Sequence, residues 1–326
     1  MISVPVVETR GLVKRYDDQL AVAGIDLVVG PGEIYGLVGP NGAGKTTTMR
    51  ILATLLTQTS GEAYVTGIPV GADPIEVRRR IGYMPDFYGV YDDLRVWEYL
   101  DFFGRCYGVS ANRRPPMINE LLEIVGLADK RDAYVESLSR GMRQRLCLAH
   151  TLVHDPALLI LDEPASGLDP RARVEMREIL RELRAMGKTI LVSSHILPEL
   201  GEMCTGVAII DRGQVLRSGT IEEIERSLRA TALLRIELIA DSAGLEAARE
   251  WLTADARVGD VLEVAAANGG PARLEVAFDG PPDLQADLLR RMIEAGHRVA
   301  GFSQATSDLE EIFLKVTGQG GGEVAA

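Results

Sequence analysis

Short apolar runs alternate with turn residues and helix-like patterns from residue 4 to about residue 211. The clearest runs lie at 34–38, 157–161 and 189–193, and each ends where polar residues begin. Strands buried on both faces of a parallel sheet appear as continuous apolar runs, and sites in such sheets lie at the carboxyl ends of the strands. The pattern therefore predicts an α/β domain whose site follows these strands.

A helical insertion is predicted between residues 94 and 137, because the apolar spacing there changes to three and four residues. The residues that carry this spacing are Trp97, Leu100, Phe103, Ile118, Leu121, Leu122 and Val125. We expect a helical subdomain at about 93–138 within a first domain that spans 1–225.

The remaining chain predicts a second, smaller α+β domain at 226–317. Strand-like segments at 233–240, 258–266 and 272–280 alternate with helix-like segments at 245–252 and 284–296. This order suggests a ferredoxin-like βαββαβ sandwich. Residues Leu309, Ile312, Phe313 and Val316 predict a last amphipathic helix, and we expect a disordered tail at 318–326.

Composition narrows the class of protein. A chain of 326 residues suits about two domains, and its formal net charge of −12 argues against binding nucleic acid through a broad basic surface. Three cysteines are too few for a disulfide framework, so we expect buried thiols in a reducing compartment. No signal peptide or run of about 20 apolar residues is found, which favours a cytoplasmic protein.

A phosphate-binding loop is predicted at residues 39–47, which read GPNGAGKTT between a strand and a helix start. Its glycines allow backbone N–H groups to surround phosphate oxygens at the positive end of the helix dipole. Lys45 is expected to reach the β- and γ-phosphates, and Thr46 to offer its hydroxyl to Mg²⁺. The segment predicts Mg-ATP binding by Gly39, Pro40, Asn41, Gly42, Ala43, Gly44, Lys45, Thr46 and Thr47.

Two adjacent carboxylates, Asp162 and Glu163, follow the apolar run at 157–161. Burying both is costly unless a cation or a proton-transfer task retains them. We interpret Asp162 as a Mg²⁺ partner and Glu163 as the general base for the attacking water. The alternative is a strand that ends in a solvated acidic turn.

At this point the sequence resembles the ATP-binding subunits of ABC transporters. The family places a signature, usually LSGGQ, shortly before the second acidic motif, and LSRGM stands there at 138–142, with departures at Arg140 and Met142. Ser139 and Gly141 match the positions that contact the γ-phosphate of ATP held by the opposite subunit. Taken alone, this segment could also be an ordinary helix cap.

Other family elements also match by position. Tyr16 corresponds to the aromatic that stacks on adenine, although an aromatic near a strand end can equally belong to a core. Residues 166–169 resemble the D-loop of the dimer interface and include Asp169. His195 matches the switch histidine that contacts the γ-phosphate, whereas His150, His154 and His297 match no such position and are interpreted as structural.

Asp86 stands where the family normally has Gln, a residue that helps to position Mg²⁺ and the lytic water. A carboxylate can serve Mg²⁺, but when ionised it cannot donate a hydrogen bond. The alternative is that Asp86 merely begins a turn after Pro85.

The resemblance, which is dense over about residues 5–220, implies an ATPase subunit that dimerises head to tail, as a homodimer or with a paired subunit. It also implies a polytopic membrane permease as partner and a peripheral position on the cytoplasmic face of the membrane. The residues of these motifs are most similar to those in the ATP-binding subunits of ABC-2 type exporters. Phe87, Tyr88 and Tyr91 would form the docking surface, or else fill a local core.

Two other functions stay open at the level of sequence. One is a soluble ABC ATPase in a non-transport role, such as an assembly factor. The other is a nucleotide-binding regulatory protein without useful turnover, which the presence of Glu163 and His195 disfavours.

Overall fold

The computed structural model describes residues 4–86, 89, 91–224, 231–264 and 272–304. Two compact units divide the chain, Met1–Ile221 and Glu222–Ala326, close to the boundary expected from sequence. Within the described ranges, no helix is both long enough and apolar enough to cross a bilayer.

A six-stranded sheet in the first unit carries the predicted buried strands. Its order is β10-β9-β3-β8-β7-β6, with the neighbours from β9 to β6 parallel and β10 antiparallel to β9. Every residue of β3, β7 and β8 is buried, which explains why apolar residues dominate these strands; the polar exceptions are Thr189, Ser193 and Ser194 of β8. The strands are β3 (Ile34–Val38), β6 (Ile81–Met84), β7 (Leu158–Leu161), β8 (Thr189–Ser194), β9 (Gly206–Asp211) and β10 (Gln214–Gly219).

A second sheet in this unit is antiparallel, in the order β2-β1-β4-β5. Its strands alternate buried and exposed residues because one face points to solvent. Helix α1 (Lys45–Leu52) buries Met49, Ile51 and Leu52 in a core shared with both sheets, where each such side chain contributes about 1.5–3 kcal/mol. The strands are β1 (Val7–Tyr16), β2 (Gln19–Val29), β4 (Ser60–Val65) and β5 (Ile68–Pro69).

The predicted helical insertion consists of α3 (Val96–Cys106) and α4 (Arg114–Ile124), followed by 3₁₀ turns at Ala128–Lys130 and Val135–Ser137. Glu98 caps the start of α3, because its Oε2 accepts from the Arg95 backbone N–H at 2.8 Å. The structure therefore agrees with the change in spacing that the sequence shows at residue 94.

Three further helices of this unit begin next to chemically important residues. They are α5 (Arg140–Leu152), α6 (Pro170–Ala185) and the short α7 (Leu197–Gly201). Another helix, α2 (Pro74–Arg80), precedes β6 and is capped by the Asp73 side chain.

His150 of α5 and His154, two residues after the end of this helix, stack on two aromatic residues that lie four positions apart. The His150 ring lies 3.7 Å from the Phe103 ring, and the His154 ring lies 3.9 Å from the Tyr107 ring, measured between centroids. Burial, and to a smaller extent the neighbouring His154, lower the pKa of His150 to about 4. These contacts support the structural interpretation of both residues.

The second unit has the predicted βαββαβ order. Its antiparallel sheet runs β12-β13-β11-β14, and buried side chains of both helices join the sheet in one core. The elements are β11 (Thr231–Leu238), α8 (Ser242–Thr253), β12 (Val258–Val264), β13 (Ala272–Asp279), α9 (Pro282–Glu294) and β14 (Val299–Gln304). The amphipathic helix and the tail expected after residue 304 lie outside the described residues.

The expectation of three buried thiols is wrong in part. Cys147 is buried and Cys204 is half-buried, but Cys106, the last residue of α3, is exposed. The helix ends at this position, so its apolar face does not extend over the thiol. Burial raises the pKa of both Cys147 and Cys204 to about 12.

Candidate nucleotide site

The loop between β3 and α1 is fixed by close backbone packing. Gly42 and Gly44 have φ angles of 81° and 106°, in the left-handed region that favours glycine. A Cβ added at Gly39 would overlap the carbonyl oxygen of Ile210, and one at Gly44 would lie 2.6 Å from that of Ala21. The predicted glycines are thus required by the conformation of the loop and by its neighbours.

Lys45 is the first residue of α1 and is only 6% exposed. Its Nζ donates to the carbonyl oxygens of Gly39 at 2.5 Å and Pro40 at 3.2 Å. Burial lowers the pKa of this ammonium, while Glu163 and Asp162 act in the opposite direction. An ammonium held by neutral carbonyls of its own loop is ready to exchange them for phosphate oxygens.

Asp162 lies at the end of β7 and is joined to two hydroxyls. Its Oδ1 accepts from Ser193 Oγ at 2.7 Å and from Thr46 Oγ1 at 3.1 Å. The carboxylate is 1% exposed, and its Oδ2 has no hydrogen-bond partner among the residues that the structure describes. A buried carboxylate oxygen without a donor needs a cation or water to offset its desolvation.

A divalent cation fits these oxygens. Mg²⁺ prefers hard oxygen ligands and is usually held by one or two carboxylates together with substrate phosphates and water. In the described part of the chain, no group of three or more His, Cys, Asp or Glu side chains could hold a metal by itself. The side-chain ligands that the site offers are therefore the Thr46 hydroxyl and the Asp162 carboxylate.

Glu163 lies between a cation and an imidazole. Its Oε1 is 3.6 Å from Lys45 Nζ, and its Oε2 is 2.9 Å from His195 Nδ1. Its φ of 51° is unusual for a non-glycine residue and costs about 1–3 kcal/mol, which surrounding contacts must offset. One such contact is the hydrogen bond from Glu163 N to Ser193 Oγ, at 2.9 Å.

Ser193 is a site residue that the sequence interpretation missed. It donates to Asp162 and accepts from the Glu163 backbone, so one hydroxyl at the end of β8 sets both carboxylates. The available signal was its position two residues before His195, at the end of a buried strand.

Residues 40–47 of the predicted phosphate-binding loop line one cleft of 270 Å³ with Glu163. Tyr16 is 42% exposed at the end of β1 and borders this cleft, so the alternative that it fills a core is wrong. Asp86 borders the same cleft and is exposed. Gln19 and Ala21, which the sequence interpretation did not include, complete the wall beside Tyr16.

Ser139, Gly141 and Asp169 line a different cleft, of 370 Å³, that shares no residue with the first. Ser139 caps α5 by accepting from Met142 N at 3.3 Å, and Asp169 caps α6 by accepting from Ala172 N at 2.8 Å. Ser139 is therefore a helix cap, and it also lines this second cleft. Within one chain, the structure does not bring these three residues to the loop that holds Lys45.

Of the three aromatic residues expected at a docking surface, only Tyr91 lies within the described residues. Tyr91 is 55% exposed and packs edge-on against Phe102, which is itself exposed, with ring centroids 5.6 Å apart. Phe87 and Tyr88 fall outside the described ranges.

Comparison with known proteins agrees with this geometry. A family model described as ABC transporter matches residues 22–166. The daunorubicin/doxorubicin resistance ATP-binding protein DrrA of Streptomyces peucetius is 39% identical over 315 residues, 96% of this chain and 92% of that protein. The Nod factor export ATP-binding protein I of Cupriavidus metallidurans is 36% identical over 316 residues, 96% of this chain and 98% of that protein.

Solved structures give the same fold for the first unit. The structure of an ATP-binding subunit of an ABC transporter is 31% identical, with a TM-score of 0.62 over 68% of this chain and 92% of that chain. A nucleotide-free ATP-binding cassette from an ABC transporter, at 22% identity, has a TM-score of 0.62 over 69% of this chain and 95% of that chain.

The loop at Lys45 and the carboxylates after β7 define an ATP-binding P-loop ATPase. The chain belongs to the ABC transporter family, as an ATP-binding and ATP-hydrolysing subunit. The expected similarity to ATPases of ABC-2 type exporters is confirmed, and the full-length relatives favour a transport role over the non-transport alternative.

Proposed function

We propose that this protein powers export through a separate polytopic membrane permease, on the cytoplasmic face of the membrane. The support comes from relatives that carry resistance or export in their names and match nearly the whole chain. In this role the protein is peripheral, and its ATP hydrolysis drives a conformational change in the permease.

The observation that carries the mechanism is the separation of the two clefts. The loop cleft holds Lys45 and Glu163, whereas the signature cleft holds Ser139 and Gly141, and no residue is common to both. We propose that two chains pair head to tail, so that the signature cleft of one chain completes the loop cleft of the other. Ser139 would then supply a hydroxyl and the start of α5 its positive dipole end to a γ-phosphate.

Bound Mg²⁺ would neutralise charge on the transferred phosphoryl group. We assign its protein ligands to Thr46 and Asp162, and we place Asp86 as a further partner at the rim of the cleft. Tyr16 stacks on the adenine, and the backbone of residues 39–47 surrounds the phosphates. The shared cleft of Tyr16, residues 40–47, Asp86 and Glu163 supports these proposed roles, and the contact between Thr46 and Asp162 supports the metal site.

Glu163 acts as the base for the attacking water. Its carboxylate is held from both sides, by Lys45 at one oxygen and by His195 at the other. The imidazole, 46% exposed, can orient the carboxylate and contact the γ-phosphate once a second chain covers it.

The permease would dock near Asp86. Tyr91 and Phe102 place two exposed aromatic rings in contact on the helical insertion, close in sequence to Asp86. Aromatic residues are enriched at protein interfaces, where they bury a large area at low entropic cost.

The second unit, 226–317 by our sequence boundary, is proposed as an accessory domain that stabilises the dimer.

The test is coexpression with a candidate polytopic permease, chosen from the genes that neighbour the one for this chain. We expect the two to copurify in detergent, and we expect the permease to change the ATPase rate. Failure of the membrane protein to copurify, with ATPase activity intact, would contradict the transport role while leaving the ATPase assignment in place.

A further inference from the structure

Arg140 occupies the third position of the signature segment, where the family usually has Gly. It is the first residue of α5, and its guanidinium points away from the helix toward the loop that follows Glu163. Its Nη2 donates to the carbonyl oxygen of Ser166 at 3.2 Å. The side chain therefore connects two segments that lie 26 residues apart in sequence.

The guanidinium also covers Gly167. This glycine has a φ of 67°, and a Cβ added to it would overlap the Nη2, Cζ and Nη1 atoms of Arg140. A planar group that lies on a backbone in this way restricts its movement, and only the guanidinium combines that plane with several donors.

Gln144 makes a parallel contact one helical turn later. Its Nε2 donates to the carbonyl oxygen of Pro164 at 2.5 Å, and the side chain is buried. Residues at i and i+4 share one face of a helix. Arg140 and Gln144 thus hold two carbonyls of the same loop, at Ser166 and Pro164, from one face of α5.

This loop is tied directly to the proposed base. Ser166 N donates to the carbonyl oxygen of Glu163 at 3.0 Å, so the turn that Arg140 holds folds back on Glu163. Glu163 itself has a strained φ, which surrounding contacts must maintain. Within the described ranges Arg140 forms no ion pair with a carboxylate, so its contacts with this loop are not shared with an acidic partner.

We propose that Arg140 is a positioning residue for ATP hydrolysis, which holds the loop of residues 164–168, and through it Glu163, against the start of α5. The inference rests on the proposed role of Glu163 as base. Arg140, Gly167 and Leu168 line the signature cleft and not the cleft of the same chain that holds Lys45. The positioning role therefore predicts a larger effect on kcat than on KM for ATP, because the loop at Lys45 binds nucleotide without Arg140 of the same chain.

The test compares Arg140→Met and Arg140→Lys with the control Arg79→Met in the full-length chain. Arg79 lies on α2, is exposed and, among the residues that the structure describes, pairs with Glu76 on the same helix. We expect Arg140→Met to lower kcat roughly tenfold to a hundredfold with KM for ATP within about twofold, because small displacements of a reacting group are costly. Arg140→Lys should recover part of kcat through its single ammonium.

A second pair of variants separates positioning from a general loss of structure. Gly167→Ala should reduce kcat when Arg140 is present, because the new methyl group must displace the guanidinium from the loop. The left-handed φ of 67° strains alanine in either background. In an Arg140→Gly background the same substitution should reduce kcat several times less. Strict additivity of the two changes, or a kcat loss that follows the fraction unfolded at the assay temperature, would overturn the proposal.

The proposed function and this inference fail in different ways. If the unmodified chain binds ATP but does not hydrolyse it, the proposed function fails. If the unmodified chain and Arg79→Met hydrolyse ATP and Arg140→Met matches them in kcat, only the positioning role of Arg140 is wrong.

Discussion

The Glu163 carboxylate lies 2.9 Å from His195, measured from Oε2 to Nδ1, and its other oxygen lies 3.6 Å from Lys45 Nζ. A carboxylate with a hydrogen-bonding imidazole on one side and an ammonium on the other has little freedom to rotate. It is therefore held in place before nucleotide and water arrive, as electrostatic preorganisation requires.

The substitution Glu163→Gln tests the base. Gln keeps the shape but cannot take a proton, so we expect ATP binding to persist and hydrolysis to fall by about 100-fold or more. An ATP-bound dimer should accumulate and elute earlier in size-exclusion chromatography. Glu178→Gln, an exposed change on α6, is the control. Undiminished hydrolysis would remove Glu163 from this role.

Ser193→Ala removes the hydroxyl that joins the Asp162 carboxylate to the Glu163 backbone N–H. Asp162 loses one of its donors and Glu163 N loses its acceptor, so we expect kcat to fall roughly tenfold and the Mg²⁺ concentration for half-maximal activity to rise. Mg²⁺ titrations of ATPase activity measure both effects. Ser137→Ala, which removes an exposed hydroxyl bonded to Tyr134 O, should leave both values unchanged.

Asp86 is tested by comparing Asp86→Ala with Asp86→Gln. If Asp86 supports Mg²⁺, Ala should raise the half-maximal Mg²⁺ concentration severalfold, about 3–10-fold, and Gln should restore part of it through its amide oxygen. Asp129→Ala, an exposed change beside Lys130, is the control. Equal Mg²⁺ dependence in all variants would leave Asp86 as a turn residue.

We expect the buried His150 to make the free energy of unfolding fall at acidic pH. Its pKa is lowered to about 4 in the folded chain, whereas an unfolded histidine titrates near 6.5. Between these values the unfolded chain binds a proton that the folded chain does not. The stability that the neutral, buried His150 contributes to the free energy of unfolding is thus complete above about pH 6.5. It is lost as the pH falls toward about 4.

The variant His150→Phe keeps a ring against Phe103 without a titrating group. We expect its Tm to fall less than that of the unmodified chain between pH 7 and pH 5. His297→Gln, in the second unit, gives the reference slope. If His150→Phe and His297→Gln lose Tm equally with acid, burial of His150 is not the cause.

Local sequence patterns determined much of the secondary structure and the phosphate-binding loop of this protein. Continuous apolar runs gave β3, β7 and β8, because strands buried on both faces tolerate few polar residues. The loop at residues 39–47 was equally clear, since its glycines satisfy local dihedral needs that few other residues meet. The change to helical spacing at residue 94 located α3 and α4.

Other features depended on contacts between distant segments, and only the tertiary structure decided them. Ser193, on β8, hydrogen-bonds to Asp162 and Glu163, which follow the neighbouring strand β7. Arg140, at the start of α5, hydrogen-bonds to the carbonyl oxygen of Ser166 in a loop. The exposure of Tyr16 and Cys106 likewise depended on where each element ends in space. Sequence spacing encodes which face of an element is apolar, but the partner of a polar side chain is set by the packing of elements far apart in the chain.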